Sequence, residues 1–151
     1  MWKTICRFDR YELFGEPSEI GIEEGKAGDQ ASAIRRVTTA ERTIRQILLA
    51  HSDLERSYTY SFCGQPPMAV HNYVATIRVT PVTETNRAFV EWWATFDCAV
   101  DQQDRWTKYF ERRGFAKWLD NLRRFMHDRQ KSTGTPGVEV DASLCAAFCI
   151  A

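Results

Sequence analysis

The residues FVEWWATFDCAVDQQDRWTKYFERRGFAKWLDNLRRFMHD (89–128) change their apolar spacing partway along the segment. Every second residue from Val90 to Phe96 is apolar, and a period of two predicts a β-strand with one apolar face. Over 104–128 the apolar residues recur every three or four positions, which predicts a long amphipathic helix with an aromatic stripe. Gly114 interrupts this pattern and is a candidate bend.

Two segments upstream show the same alternation, SYTYSFC (57–63) and NYVATIRVT (72–80). Weaker patterns predict helical turns over 2–14 and strands around 20–22, at 31–38 and at 43–50. Because short turns separate these strands, we expect an antiparallel sheet with one covered face. The order of elements predicts an α+β fold in which a strongly curved sheet wraps around the long C-terminal helix.

The overall composition favours a single globular domain. The chain has 151 residues, and Lys plus Arg equals Asp plus Glu at 20 each. Nucleic-acid-binding domains normally carry a basic excess, so no nucleic-acid partner is predicted. The sequence predicts neither a signal peptide nor a membrane span. Five irregularly spaced cysteines favour a reducing compartment, so we expect a cytoplasmic protein. The oligomeric state stays open, with a dimer among the alternatives.

No cofactor and no metal site are predicted. The sequence contains no glycine-rich phosphate-binding motif, and its three histidines are isolated. Cys145 and Cys149 form one pair, whereas structural zinc sites usually need two. Basic residues between Arg105 and Arg124 alternate with acidic ones, which favours a solvated helix face over a phosphate site.

Four segments carry a family resemblance: IEEGKAGDQASAIRRV (22–37), IRQILLAHSDLERSYTYSF (44–62), PPMAVHNYVATIRVTPV (66–82) and FVEWWATFDC (89–98). Together with the aromatic helix they resemble the START-like (SRPBCC) proteins of the polyketide cyclase/dehydratase type, over about residues 2–128. The resemblance implies a helix-grip fold, with a cavity between a bent antiparallel sheet and the long helix. It implies binding of a lipid, a polyketide or another hydrophobic molecule, and enzymatic activity in some members only.

The two ends of the chain depart from the family pattern. The family normally has a strand before its first helix, whereas Met1 and Trp2 already match the start of that helix. We predict one domain over 1–130 and a linker and tail over 131–151. The tail fits neither a helix nor a strand pattern. The open alternatives are a truncated chain, a disordered tail, or a replacement strand formed by VEVD (138–141) that would cover an open sheet edge.

The resemblance, combined with the alternating faces, selects the cavity wall. The predicted ligand-binding residues are Gln46, Tyr58, Tyr60, Phe62, Tyr73, Ile77, Trp92, Phe96, Trp106, Phe110, Trp118 and Leu122. For each of them the alternative role is to fill the core. Further polar candidates are Arg35, Arg78 and His71. A buried Gln46 needs hydrogen-bond partners, for which the hydroxyls of Tyr58 or Tyr60, or the ligand, are candidates.

Three functions remain open at the level of sequence. The first is binding of a hydrophobic small molecule, and the alternative is a polyketide cyclase/dehydratase-like enzyme that uses the same pocket. Similar proteins often carry Glu where this chain has Gln46, and a glutamine supplies no titratable group for proton transfer. No catalytic residue is therefore assigned. The second alternative is a protein-interaction module whose pocket is filled.

Overall fold

The architecture is an antiparallel sheet followed by one long helix. The computed structural model describes residues 1–13, 19–85, 87–133, 139–141 and 145–149. A short helix α1 (Trp2–Ile5) and a 3₁₀ turn (Tyr11–Leu13) precede the sheet. The strands β1 to β6 pair antiparallel in sequence order: Glu19–Ile22, Ile34–Thr38, Thr43–Ser52, Ser57–Phe62, His71–Val82 and Arg87–Asp97. The predicted α+β helix-grip fold is confirmed.

The alternating residues of the central strands form the inner face of the sheet. Tyr58 on β4 lies opposite Ile77 on β5, and Ile77 lies opposite Trp92 on β6. All three side chains are at most 1% exposed, whereas their neighbours along each strand are exposed or half-buried. Burial of such large apolar side chains contributes about 1.5–3 kcal/mol each, so the inner face fixes the register of the strands.

The C-terminal helix covers this inner face. It consists of α2 (Gln103–Lys108), a π-helical segment (Tyr109–Phe115) and α3 (Ala116–Thr133). Within the π-helical segment, Phe110 and Phe115 are buried, and the Phe115 ring stacks on Trp92 of β6 with centroids 5.4 Å apart. The candidate bend at Gly114 also falls in that segment. The part of the chain that is described holds no helix with the length and apolarity that a bilayer crossing requires.

The outer edge of β6 carries two further strands. β7 (Glu139–Asp141) pairs parallel with the start of β6, and β8 (Cys145–Cys149) pairs parallel with residues Trp92 to Phe96. The first residue of the predicted VEVD strand, Val138, lies outside the described residues. β8 was not predicted from the sequence, because the stretch CAAFC has no alternation and its strand depends on backbone pairing with β6.

Candidate functional site

A cleft of about 400 Å³ lies at one end of the interface between sheet and helix, and it is partly open to solvent. The turn between β2 and β3 forms one wall, and the π-helical segment with the start of α3 forms the other. The lining residues are Tyr11, Val37, Thr39, Ala40, Glu41, Arg42, Ile44, Gln46, Phe62, Met68, Tyr73, Tyr109, Phe110, Arg113, Lys117 and Trp118. The cleft therefore combines an apolar floor with a charged mouth.

Five of the twelve predicted ligand-binding residues line this cleft, namely Gln46, Phe62, Tyr73, Phe110 and Trp118. Trp106 lines an adjacent groove of about 450 Å³, which shares Arg42, Met68, Tyr109 and Arg113 with the cleft. The other six are buried side chains that do not line the cleft: Tyr58, Tyr60, Ile77, Trp92, Phe96 and Leu122. Their placement corresponds to the alternative role, filling of the core.

Aromatic packing explains why the centre of the interface is filled. Phe8, which follows α1, is fully buried, and its ring lies 5.9 Å from Tyr58 and 5.6 Å from Tyr60, measured between centroids. The ring of Trp92 on β6 packs against the ring of Trp118 on the helix, with centroids 5.1 Å apart. Phe8 was not predicted from the sequence, because a single phenylalanine in an irregular segment carries no periodic signal. The open space therefore lies at the end of the interface between sheet and helix and not at its centre.

Gln46 and Arg35 form the buried polar pair beneath the cleft. They are register partners on β3 and β2. Arg35 is 2% exposed and donates from Nε and Nη2 to Oε1 of Gln46 at 3.2 and 2.5 Å, and from Nη1 to the carbonyl of Phe8 at 2.6 Å. The described partner of Gln46 is therefore Arg35, and not the hydroxyl of Tyr58 or Tyr60 that was a candidate from the sequence. The cross-strand guanidinium is the nearer donor, and the hairpin register was the signal that would have identified it.

The other two polar candidates lie away from the cleft. The guanidinium of Arg78 is exposed and stands over the ring of Trp93, 5.6 Å from its centroid, on the outer face of the sheet. His71 is exposed at the first position of β5. Neither side chain lines the cleft or the adjacent groove.

The buried tyrosines beside the cleft are held in their neutral form. Burial raises the pKa of Tyr73 above its usual range and that of Tyr60 well above it, and burial also raises the pKa of Tyr58 to about 12. Nε1 of Trp92 donates to the Tyr60 hydroxyl at 3.1 Å. Neither Tyr60 nor Tyr73 bonds to a described histidine or carboxylate. These hydroxyls are suited to hydrogen bonding with a ligand and poorly suited to act as a base near pH 7.

Similarity to known proteins covers the sheet and the helix. Residues 2–129 match the model of a family described as polyketide cyclase / dehydrase and lipid transport. An uncharacterized protein of Bacillus thuringiensis has a similar structure, with 28% identity, a TM-score of 0.66, and coverage of 82% of this chain and 86% of that one. Protein XoxI of Bacillus cereus is 26% identical, with a TM-score of 0.65 and coverage of 85% and 87%.

A protein of Nitrosospira multiformis shares the fold at 21% identity, with a TM-score of 0.64 and coverage of 80% of this chain and 82% of that one. No curated protein matches the sequence. The similarities thus extend over both elements that form the cleft.

Proposed function

Since the chain belongs to the polyketide cyclase/dehydrase and lipid transport family, we propose that it binds a hydrophobic small molecule in the cleft between the sheet and the C-terminal helix. The observation that carries this proposal is the composition of the cleft floor. Phe62, Phe110 and Trp118 supply apolar surface, and Gln46 supplies a single amide. Small-molecule sites typically combine an apolar lining with a few polar groups in a volume of about 300–1,000 Å³.

Packing in the rest of the interface supports this location. The rings of Phe8, Tyr58 and Tyr60 fill the centre, so a ligand there would have to displace buried side chains. Such a displacement is costly because protein cores are close-packed. The cleft requires no such rearrangement. The proposed contact residues are therefore the five predicted residues that line it, Gln46, Phe62, Tyr73, Phe110 and Trp118.

Two observations favour binding over the alternatives. A cyclase or dehydratase needs proton transfer, and the cleft floor offers the amide of Gln46 and the hydroxyl of Tyr73, whose pKa is raised. An interaction module would present a contiguous apolar patch. The large apolar side chains that are exposed among the described residues lie on separate elements: Leu49 on β3, Leu54 in the following turn, Val82 at the end of β5 and Val100 after β6.

Ligand binding is tested by native mass spectrometry of the purified protein, organic extraction, and titration with the neutral apolar dye Nile red. We expect one bound molecule per chain and quenching or enhancement of Trp118 fluorescence on binding. The variant Ala40→Trp places a bulky ring on the exposed turn that lines the cleft, and it should weaken dye binding at least about tenfold.

The matched control is Ala99→Trp, at an exposed position that does not line the cleft. It should bind the dye like the unmodified chain. The proposal is wrong if the unmodified protein carries no extractable ligand and binds neither Nile red nor neutral long-chain alcohols. It is also wrong if the two tryptophan variants bind equally well, because binding would then occur elsewhere.

A further inference from the structure

The cations at the mouth of the cleft have no acidic partners in the part of the chain that is described. Arg42 on the β2–β3 turn, Arg113 in the π-helical segment and Lys117 in α3 are exposed, and none of them forms an ion pair with a described residue. Among the described lining residues, Glu41 carries the one carboxylate. The mouth therefore has a formal charge of +2, although the whole chain is neutral.

Three arginines elsewhere on the described surface form ion pairs with carboxylates. Arg123 and Arg124, further along α3, contact Asp120 at 2.7 and 2.6 Å. On the sheet, Arg36 contacts Glu19 at 3.0 Å. These three arginines outside the cleft thus contact carboxylates, whereas none of the three cations at its mouth forms an ion pair with a described residue. An unpaired cluster attracts anions because like charges held close together raise the local potential.

The basic surface continues along the adjacent groove. Arg105, Lys108 and Arg112 line it together with the shared Arg42 and Arg113, and the described lining residues include no carboxylate. Lys108 does reach Asp104, at 3.4 Å, and Arg105 donates to the amide oxygen of Gln102 at 3.1 Å. Acidic residues alternate with these basic residues in sequence, which favours a solvated helix face. The helix instead directs an unbalanced subset toward the cleft.

The floor of the cleft contributes a neutral donor. Gln46 is 6% exposed, and its Oε1 accepts both hydrogen bonds from Arg35. A guanidinium offers donors only, so the amide oxygen must face Arg35 and the amide nitrogen must face away from it. Nε2 of Gln46 donates to no described residue, but it is not fully buried. Nε1 of Trp106, beside the adjacent groove, is fully buried and has no described partner. Either nitrogen can donate to an acceptor oxygen of a ligand.

We infer that the ligand is an anionic amphiphile, with an acid group held by Arg42, Arg113 and Lys117 and an apolar part on Phe110 and Trp118. This inference rests on the proposed function, because it assigns the chemical class of the molecule in the same cleft. Carboxylate, sulfate and phosphate monoesters share the required acceptor oxygens, and charge-assisted hydrogen bonds to them are the strong ones. A volume of about 400 Å³ fits a single chain or a small ring system.

The test compares dodecanoate, dodecyl phosphate and 1-dodecanol, which share one chain, by displacement of Nile red. At low salt we expect either anion to bind about tenfold or more tightly than the alcohol, and the preference to shrink at 0.5 M salt as the charges are screened. Inorganic phosphate alone should not displace the dye at millimolar concentration. If phosphate alone displaces the dye, the ligand is a free anion, and the inference that it is an amphiphile is wrong.

The variants Arg113→Gln and Lys117→Gln should each weaken dodecanoate binding about three- to tenfold and weaken 1-dodecanol binding by a clearly smaller factor, because the alcohol carries no charge. Arg123→Gln removes the same charge from the same helix outside the cleft and serves as the matched control. If the alcohol binds as tightly as the anions and the three variants behave alike, the anionic class is wrong while the proposed function stands. If neither the alcohol nor Nile red binds, both fail.

Discussion

The guanidinium of Arg35 lies across the β2–β3 hairpin from Gln46 and donates two hydrogen bonds to its amide oxygen. No described carboxylate pairs with this buried cation. Its described partners are neutral: the amide oxygen of Gln46 and the carbonyl oxygen of Phe8. The ring of Phe8 lies over the guanidinium, with 3.9 Å between the ring centroid and the guanidinium carbon. Burial of a charge is costly unless its donors are satisfied. These contacts therefore offset the cost of burying the Arg35 guanidinium. The pair also fixes the orientation of the Gln46 amide at the cleft floor.

Replacement of Arg35 should therefore destabilise the fold strongly. Arg35→Met keeps much of the side-chain volume but leaves Oε1 of Gln46 and the carbonyl of Phe8 without their donor. Each of the two orphaned acceptors costs about 1–3 kcal/mol, so we expect a loss of about 2–6 kcal/mol in the free energy of unfolding, measured in urea. The control is Arg36→Met on the same strand, whose exposed ion pair with Glu19 contributes about 0–1 kcal/mol. Equal losses in the two variants would contradict the role assigned to Arg35.

The two adjacent tryptophans of β6 should differ sharply in their contribution to stability. Trp92 is 1% exposed and packs on Phe115 and Trp118, whereas Trp93 is half-buried on the outer face below Arg78. Trp92→Leu should lower the free energy of unfolding by at least about 2 kcal/mol, and Trp93→Leu by less than about 1 kcal/mol. Urea midpoints measure both. A larger loss for Trp93 would show that the strand register is shifted by one residue.

Alkaline pH should unfold the protein through its buried tyrosines. Burial raises the pKa of Tyr58 to about 12, and an unfolded tyrosine titrates near ~10. Because the folded pKa is raised, Tyr58 contributes stability that is fully present below pH ~10 and is lost as the pH rises toward 12. The slope per group is up to about 1.4 kcal/mol per pH unit. Tyr60 and Tyr73 shift in the same direction and add to the effect.

The measurement is the urea midpoint between pH 8 and pH 11.5, with tyrosinate absorbance at 295 nm followed in parallel. The variant Tyr58→Phe removes one of the titrating groups, so its stability should fall less steeply above pH 10 than that of the unmodified chain. An unchanged slope in this variant would mean that Tyr58 ionises as easily in the folded state as in the unfolded one.

The strands β4 to β6 and the helix could be predicted because their buried apolar residues recur at the fixed spacing of a strand or a helix. Tyr60 and Trp92 are two such positions, and each is buried as its period requires. The cleft was harder to predict, since its position depends on which rings occupy the centre. Phe8 reaches that centre from an irregular segment, over a long sequence separation from Tyr60, and no local pattern records such a contact. The partner of Gln46, by contrast, could have been predicted, because the register of the β2–β3 hairpin places Arg35 directly opposite it.

The two tail strands should protect the outer edge of β6. A chain that ends at Thr133 lacks β7 and β8 and so exposes the backbone groups of β6 that pair with them, at 87–89 and at 92–96. Open edge strands pair with other chains, so we expect lower stability and concentration-dependent association, measured by urea unfolding and size-exclusion chromatography with light scattering.

A full-length variant separates strand pairing from mere chain length. Alternate residues of an edge strand direct their N–H groups to the neighbour, so the double change Ala146→Pro with Ala147→Pro removes at least one bond to β6. It should behave like the shortened chain, because proline cannot donate. The control, Ala146→Ser with Ala147→Ser, retains both N–H groups and should stay stable and unassociated. If the shortened chain and the proline variant match the unmodified protein in both measurements, β6 needs no cover, and the tail has no part in holding the sheet.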